Sequence, residues 1–272
     1  MIANDIGFSL VFVSPFQFWF FWLAIGLSLG SFMNVVIHRL PRNRSILRPP
    51  SHCPRCRKSI AIYDNIPVFS WLLLRGVSRC CGQRIACRYP LVEAIVGLAG
   101  VGLWWRWFGW WPWVGAALLA TAGLTAIAFI DWDTFIIPDE LSLGLWVLGT
   151  VLAPFNPMFP GSVWAKIGFA VAGGLFGYLM CFGILILGKK IFKKDAMGGG
   201  DVKLLAAVGA WTGVLGAYDC MVIASFIGAI YGVYQIARKK LERQDHIPFG
   251  PFLVIAAIFN FFYLLPFGFP FH

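Results

Sequence analysis

Long apolar runs separated by polar segments make up most of the sequence. The runs occupy residues 15–37, 91–110, 113–131, 141–155, 165–188, 202–217, 220–237 and 249–269. Because about 20 apolar residues cross the hydrocarbon core of a bilayer, we interpret each run as one transmembrane helix. The pattern predicts an all-α polytopic membrane protein with about eight transmembrane helices. A small cysteine-containing segment, residues 38–90, separates the first helix from a seven-helix core, residues 91–269.

The composition supports this interpretation. Hydrophobic residues make up 59% of the 272-residue chain and charged residues only 12%. A soluble domain carries about 25% charged residues, so a soluble globular protein is excluded.

The positive charge is placed asymmetrically along the chain. There are 22 Lys and Arg residues against 12 Asp and Glu residues. If residues 38–90 are cytoplasmic, alternation of the spans places 19 of the 22 basic residues on the cytoplasmic face. This asymmetry is typical of the positive-inside rule. We therefore expect the basic residues to orient the protein in a lipid bilayer, and we expect no nucleic-acid partner.

Acidic residues follow the third predicted span at the cytoplasmic edge. Asp139 and Glu140 come directly after Pro138 and suit the first turn of the next helix. Asp133 fits a solvated loop. Asp131 closes an apolar run, where the helix dipole disfavours an anion, so a structural role does not explain it. An ionisable residue at membrane depth is costly and indicates function.

A second acid, Asp201, directly precedes the sixth span. Two carboxyls a few ångströms apart do not both ionise easily, so one stays protonated. The ionised carboxylate can then take a proton from water while its partner polarises a scissile carbonyl. Asp131 and Asp201 are the predicted catalytic pair of an aspartyl peptidase. The residues before Asp201 allow close backbone approach and are predicted to contact the substrate; they are Gly198, Gly199 and Gly200.

Five cysteines are concentrated in residues 38–90. Cys53 and Cys56 form a C-x-x-C pair, followed by Cys80, Cys81 and Cys87. Disulfides are rare in the cytoplasm, and this spacing favours a tetrahedral zinc site. Adjacent cysteines are awkward ligands for one ion, so Cys87 is the expected fourth ligand beside Cys53, Cys56 and Cys81. Cys80 is the alternative.

Six motifs occur in order along nearly the whole chain. They are GSFMNVVIHRLP (30–41), CPRC (53–56), YDNIPVFSWLLLRG (63–76), RYPLVE (88–93), DWDTFIIPD from Asp131, and GGGDVKLLAAVGAW (198–211). This combination resembles the bacterial type IV prepilin peptidases, which are inner-membrane aspartyl proteases of the GxGD type. The resemblance implies cleavage of the basic leader of prepilins and pseudopilins at the cytoplasmic edge. It also implies that Asp131 and Asp201 are the catalytic residues.

Many members of that family also methylate the newly exposed N-terminus with S-adenosylmethionine, and the resemblance associates this activity with residues 38–90. A basic leader is attracted to carboxylates rather than to this basic segment, so we expect the segment to have another role. The family carries two C-x-x-C pairs, and the second begins where this chain has Ser78. Cys81 occupies its last position, and Cys80 or Cys87 replaces the missing ligand.

The alternative function is an ion-coupled membrane transporter that uses the boundary carboxylates. A transporter favours charged residues near mid-span and paired broken helices. A scaffold that has lost activity is a further alternative. Acids at the membrane edge and retention of the glycines before Asp201 favour the peptidase.

Overall fold

Eight α-helices account for most of the computed structural model, which describes residues 18–48, 53, 56, 58–192, 198–239 and 246–263. In chain order they are α1 (Trp19–Arg39), α2 (Phe69–Leu73), α3 (Arg88–Arg106), α4 (Trp111–Thr134), α5 (Asp139–Leu152), α6 (Val163–Phe192), α7 (Gly199–Ala237) and α8 (Gly250–Phe262). Helices α1, α4, α6 and α7 are each long and apolar enough to cross a membrane. The prediction of an all-α, multi-pass membrane protein is confirmed.

Helix α7 contains two of the predicted spans. Its 39 residues would reach about 58 Å if straight, nearly twice the hydrocarbon thickness. The helix breaks at Gly213, where φ is 75° and ψ is −174°. Gly200 lies against Ile137 and Tyr231 packs on Trp132, so both ends of α7 lie beside the end of α4. The chain therefore reverses within α7, and its two halves correspond to the predicted spans 202–217 and 220–237.

A cluster of aromatic rings joins α4, α7 and α8 at the end of the bundle remote from Asp131. The ring centroids of Trp113, Trp211 and Phe261 lie 6.1–6.2 Å apart in each pair. The Trp211 indole also donates to the carbonyl of Leu145 in α5 at 2.8 Å. Buried aromatic contacts of this kind fix four helices relative to one another.

Helix α6 approaches the first half of α7 closely through glycine. A Cβ atom on Gly173 would collide with the backbone of Gly209 and would lie 2.6 Å from the Cα atom of Gly213. Small residues allow this approach in membranes, where packing rather than apolar burial holds helices together. The contact supports the segment of α7 that follows Asp201.

The segment between α1 and α3 is largely irregular. In its described part it contains two 3₁₀ turns, the five-residue helix α2, and one antiparallel bridge between Val77 and Arg84. It is anchored to α3 by a hydrogen bond from the Val68 amide to the Glu93 carboxylate at 2.7 Å. The 38–90 segment is thus attached to the transmembrane helices at the start of α3.

The α6–α7 contact predicts a difference between two glycine substitutions in α6. Gly173→Ala forces the backbones apart and should destabilise the protein by about 1–3 kcal/mol, as overpacking does. Gly168→Ala is the matched control, because a Cβ atom there meets nothing within 4 Å. Thermal unfolding in detergent micelles measures both variants. Equal transition temperatures for the two would contradict the close approach.

Candidate active site and thiol cluster

Asp131 lies in the last turn of α4 and is 5% exposed. Its Oδ2 atom accepts a hydrogen bond from the backbone amide of Gly250 at 3.0 Å. Gly250 is the first residue of α8, so the positive end of that helix dipole is directed at the carboxylate. The start of α8 therefore compensates for the unfavourable position of an anion at the end of α4.

Asp201 lies in the first turn of α7 and is 7% exposed. Its Oδ2 atom accepts a hydrogen bond from the Gly198 amide at 3.2 Å, which fixes the glycine loop against the helix. Gly200 packs beside Ile137, with only 2.9 Å from its Cβ position to the Cβ atom of Ile137. Gly199 is exposed and a Cβ atom there would meet nothing within 4 Å.

The carboxylates of Asp131 and Asp201 are close enough to interact electrostatically. The α4–α5 connection lies between the helices that carry them, because Ile137 contacts both Gly200 and Gly250. Residues from three separate helices thus meet at one edge of the bundle. The arrangement offers two buried carboxyls at one edge of the bundle, each held by a backbone amide.

The neighbouring acids have ion-pair partners of their own. Asp133 pairs with Arg88 at the start of α3. Asp139 accepts hydrogen bonds from the Lys203 ammonium, 2.7 Å from each of its carboxylate oxygens, and this pair is exposed. Asp139 lies in the first turn of α5, as the sequence predicts. Its exposed position and its lysine partner distinguish it from the buried pair.

Sequence reasoning missed three polar groups. The backbone amide of Gly250 contacts Asp131, and the only sequence signal for Gly250 is the Gly-Pro step near the start of the last apolar run. Glu93 is 8% exposed and carries no signal beyond its motif. Asp219 is fully buried in the second half of α7, and neither of its oxygens has a hydrogen-bond partner among the described residues. The hydrophobic pattern placed Asp219 between two spans rather than inside a helix.

Four cysteine thiols meet in the segment between α1 and α3. The Sγ atoms of Cys53, Cys56, Cys80 and Cys81 all lie within 4.8 Å of one another. Cys56 and Cys80 are 3.2 Å apart, and Cys53 and Cys81 are 3.6 Å apart. This group has the ligand types and the spacing of a metal site.

The structure brings Cys80, rather than the expected Cys87, together with the other three thiols. Cys87 is exposed and directly precedes α3. A turn explains how the adjacent residues Cys80 and Cys81 join one group. The Gly82 amide donates to the Ser78 carbonyl at 2.9 Å, and Gly82 adopts a positive φ of 67° that closes the turn.

Comparison with known proteins identifies the family. Residues 24–107 match the model of the bacterial peptidase A24 N-terminal domain, and residues 118–233 match that of the type IV leader peptidase family. The chain therefore belongs to the type IV leader peptidase family. No solved structure matches it significantly.

Individual relatives agree with this assignment over nearly their full length. A prepilin leader peptidase/N-methyltransferase of Stutzerimonas stutzeri is 38% identical, covering 89% of this chain and 90% of the relative. Proteins with the same name from Pectobacterium carotovorum and Pseudomonas aeruginosa are 35% and 37% identical, covering 92% and 89% of this chain and 95% and 89% of the relatives. The transporter alternative receives no support from these relatives.

The contact between α8 and Asp131 predicts a strong effect of Gly250→Ala. The added Cβ atom would lie 2.7 Å from the Asp131 Oδ2 atom and would displace the carboxylate. Because small misplacements of reacting groups are costly, leader-peptide cleavage should fall by about tenfold to a hundredfold. Gly144→Ala in α5 is the control, since its Cβ atom meets nothing within 4 Å. Wild-type cleavage by a folded Gly250→Ala variant would show that the close approach of Gly250 to Asp131 is not needed for activity.

Proposed function

We propose that this protein is a membrane aspartyl endopeptidase that removes the leader peptide of type IV prepilins and pseudopilins. The observation that carries the proposal is the pairing of Asp131 and Asp201, two buried carboxyls on different helices at one edge of the bundle. Membership of the type IV leader peptidase family supports the same reaction.

Hydrolysis follows from the carboxyl pair without a nucleophilic side chain. One carboxyl is ionised and removes a proton from a water molecule as that water attacks the scissile carbonyl carbon. The other carboxyl is protonated and donates a hydrogen bond to the carbonyl oxygen. Collapse of the tetrahedral intermediate breaks the C–N bond, and the departing amine takes a proton from the pair. The amides of Gly250 and Gly198 hold the two carboxylates in place throughout.

The basic residues support a location in the bacterial inner membrane with the carboxyl pair at the cytoplasmic edge. Positive charges on the segments connected to this edge would face the cytoplasm. A prepilin with its apolar helix in the bilayer would place its leader beside Asp131 and Asp201. Exposed Gly198 and Gly199 leave room for the substrate backbone at the start of α7, which is the substrate-binding role proposed for Gly198, Gly199 and Gly200.

The proposal predicts that Asp131→Asn and Asp201→Asn each abolish prepilin cleavage. Neither amide can remove the proton from water, so the loss should exceed about a hundredfold, the size of a general-base contribution. Asp139→Asn is the matched control, because that exposed carboxylate pairs with Lys203. The N-terminal mass of the pilin product reports cleavage. Activity retained by the Asp131 or Asp201 variant would remove that residue from the mechanism.

The peptidase is proposed to be bifunctional and to methylate the new N-terminus with S-adenosylmethionine. The names of its relatives combine leader peptidase and N-methyltransferase. The thiol cluster is proposed to bind zinc and to stabilise the segment between α1 and α3. That segment is too small for an extensive core, so a metal would contribute to its folding.

The thiol positions fit a tetrahedral zinc ion. Zn–S bonds of about 2.3 Å separate the four sulfurs by about 3.8 Å. The observed separations of 3.2 and 3.6 Å, within a group no wider than 4.8 Å, need only small adjustments. Ser78 lies beside the cluster, with its Oγ atom 3.0 Å from the Cys80 sulfur. Ser78 stands where the family resemblance implies a cysteine, and Cys80 is proposed to supply the fourth thiol.

Zinc content distinguishes the two candidate fourth ligands. Wild-type protein should contain about one zinc ion per chain. Cys80→Ser should lose most of this zinc, whereas Cys87→Ser should retain it, because Cys87 lies outside the thiol cluster. Elemental analysis of protein purified without metal-binding tags measures the content directly. If only the Cys87 variant loses zinc, Cys87 rather than Cys80 is the fourth zinc ligand.

A further inference from the structure

A cavity of about 590 Å³ lies between the segment that precedes α3 and the start of α3 itself. Its size falls within the range of small-molecule sites, about 300–1,000 Å³. Aromatic and apolar side chains line it together with a few polar groups, among them Trp71, Tyr89, Leu74, Ile85, Asp64 and Glu93. Cys53 of the thiol cluster also lines the cavity, whereas neither Asp131 nor Asp201 does.

Residues from three sequence motifs line or support this cavity. The proposed peptide hydrolysis uses no residue from these motifs. Motif 63–76 supplies Trp71, and motif 88–93 supplies Tyr89 and Glu93. Motif 30–41 supports them from α1, because the Asn34 side chain donates to the carbonyl of Tyr89 at 3.0 Å. The cavity therefore gives these motifs a common location.

Glu93 places a carboxylate at the base of the cavity. It is 8% exposed, and it accepts a hydrogen bond from the Val68 amide at 2.7 Å, while the neutral side chains of Ser31 and Asn34 lie beside it. No Lys or Arg among the described residues forms a salt bridge with it. A buried carboxylate that is oriented by neutral donors favours a cationic ligand.

Val68 is held in an unusual conformation to make its contact with Glu93. Its φ is 61° and its ψ is −51°, a region that a β-branched residue rarely adopts. Strained backbone of this kind is concentrated at ligand sites, where the surrounding structure maintains it. Trp71 is fixed as well, since its indole donates to the carbonyl of Ile85 at 3.1 Å. The walls of the cavity are thus oriented before a ligand enters.

We propose that this cavity binds S-adenosylmethionine, the methyl donor of the proposed N-methylation, on which this inference rests. The donor joins a flat adenine ring to a positively charged sulfonium and an amino acid group. Trp71 and Tyr89 offer aromatic faces for the ring. Glu93 offers the negative charge for the cationic part. When bound, the donor supplies an electrophilic methyl group.

Methyl transfer balances without a further reactant. The neutral α-amine of the cleaved pilin forms a C–N bond with the methyl carbon as the C–S bond breaks, and the bonding pair stays on sulfur. The amine then releases one proton to water. Arg88, next to Tyr89, pairs with Asp133 beside the peptidase site, so the cavity and the carboxyl pair share one edge of the protein.

Equilibrium binding to the full-length protein in detergent tests the assignment. Calorimetry with S-adenosylmethionine, and with S-adenosylhomocysteine as a second probe, should give one site on the wild type. Ala86→Trp fills the cavity from its wall, and Glu93→Gln removes the charge while keeping an acceptor for Val68. Each should weaken donor binding by at least about tenfold, the effect of losing one charged contact. Leu73→Trp is the control, since Leu73 is 83% exposed on α2 and does not line the cavity.

Ultraviolet cross-linking of radiolabelled donor to wild-type protein locates the site independently of variant folding. Label in peptides from residues 60–93 supports the cavity, and label confined to other peptides overturns it. Asp201→Asn should bind the donor normally, because the peptidase pair lies outside the cavity.

Measuring methylation of cleaved pilin distinguishes an error in the cavity assignment from an error in the proposed methylation. If wild-type protein methylates pilin while both cavity variants bind the donor normally, the cavity assignment is wrong and the proposed methylation stands. If wild-type protein cleaves prepilin but neither binds the donor nor adds a methyl group, the proposed methylation itself is wrong.

Discussion

The arrangement of this protein depends on burying two carboxylates at a membrane edge without leaving their oxygens unsatisfied. A buried, unpaired polar group costs several kcal/mol in an apolar environment. Here the compensation comes from backbone amides, with Gly250 donating to Asp131 and Gly198 donating to Asp201. Because the Gly250 amide cannot move independently of α8, its hydrogen bond fixes α4 against α8, whereas the Gly198 amide holds Asp201 within the first turn of α7. The same contacts that make burial tolerable define the reactive geometry.

The remote end of the bundle maintains that geometry. Trp113, Trp211 and Phe261 interlock α4, α7 and α8, while Gly173 and Gly209 bring α6 against the first half of α7. In a bilayer, apolar burial does not hold helices together, so ring packing and close backbone contact must do so. The reactive edge carries the polar groups and the opposite end carries the specific packing. This division lets the site contain several glycines while the packing at the opposite end holds the helices together.

The sequence predicted features that depend on local pattern, and it failed where distant segments meet. The spans follow from hydrophobic runs, and Asp131 was distinguished because an anion at the end of a helix needs an explanation. Its explanation, the amide of Gly250, lies more than a hundred residues away and has no local signature. The sequence favoured Cys87 and kept Cys80 as the alternative; the structure groups Cys80 with the other thiols, because a turn closed by Gly82 brings it to them. Two apolar runs predicted a chain reversal at residues 218–219, and the structure instead places the break at Gly213, where the backbone is not helical.

The relative positions of the two proposed sites suit a reaction order in which cleavage precedes methylation. Methylation requires a free α-amine, which exists only after the leader has been removed, so the peptidase pair must act first. The proposed cleavage would leave the new N-terminus at the edge where Asp131 ends α4, and the Arg88–Asp133 ion pair connects that edge to the start of α3. Glu93 lies less than two turns further along α3, beside the cavity. The Arg88–Asp133 ion pair therefore joins α4, which carries one of the proposed catalytic carboxylates, to α3, which forms part of the proposed donor site.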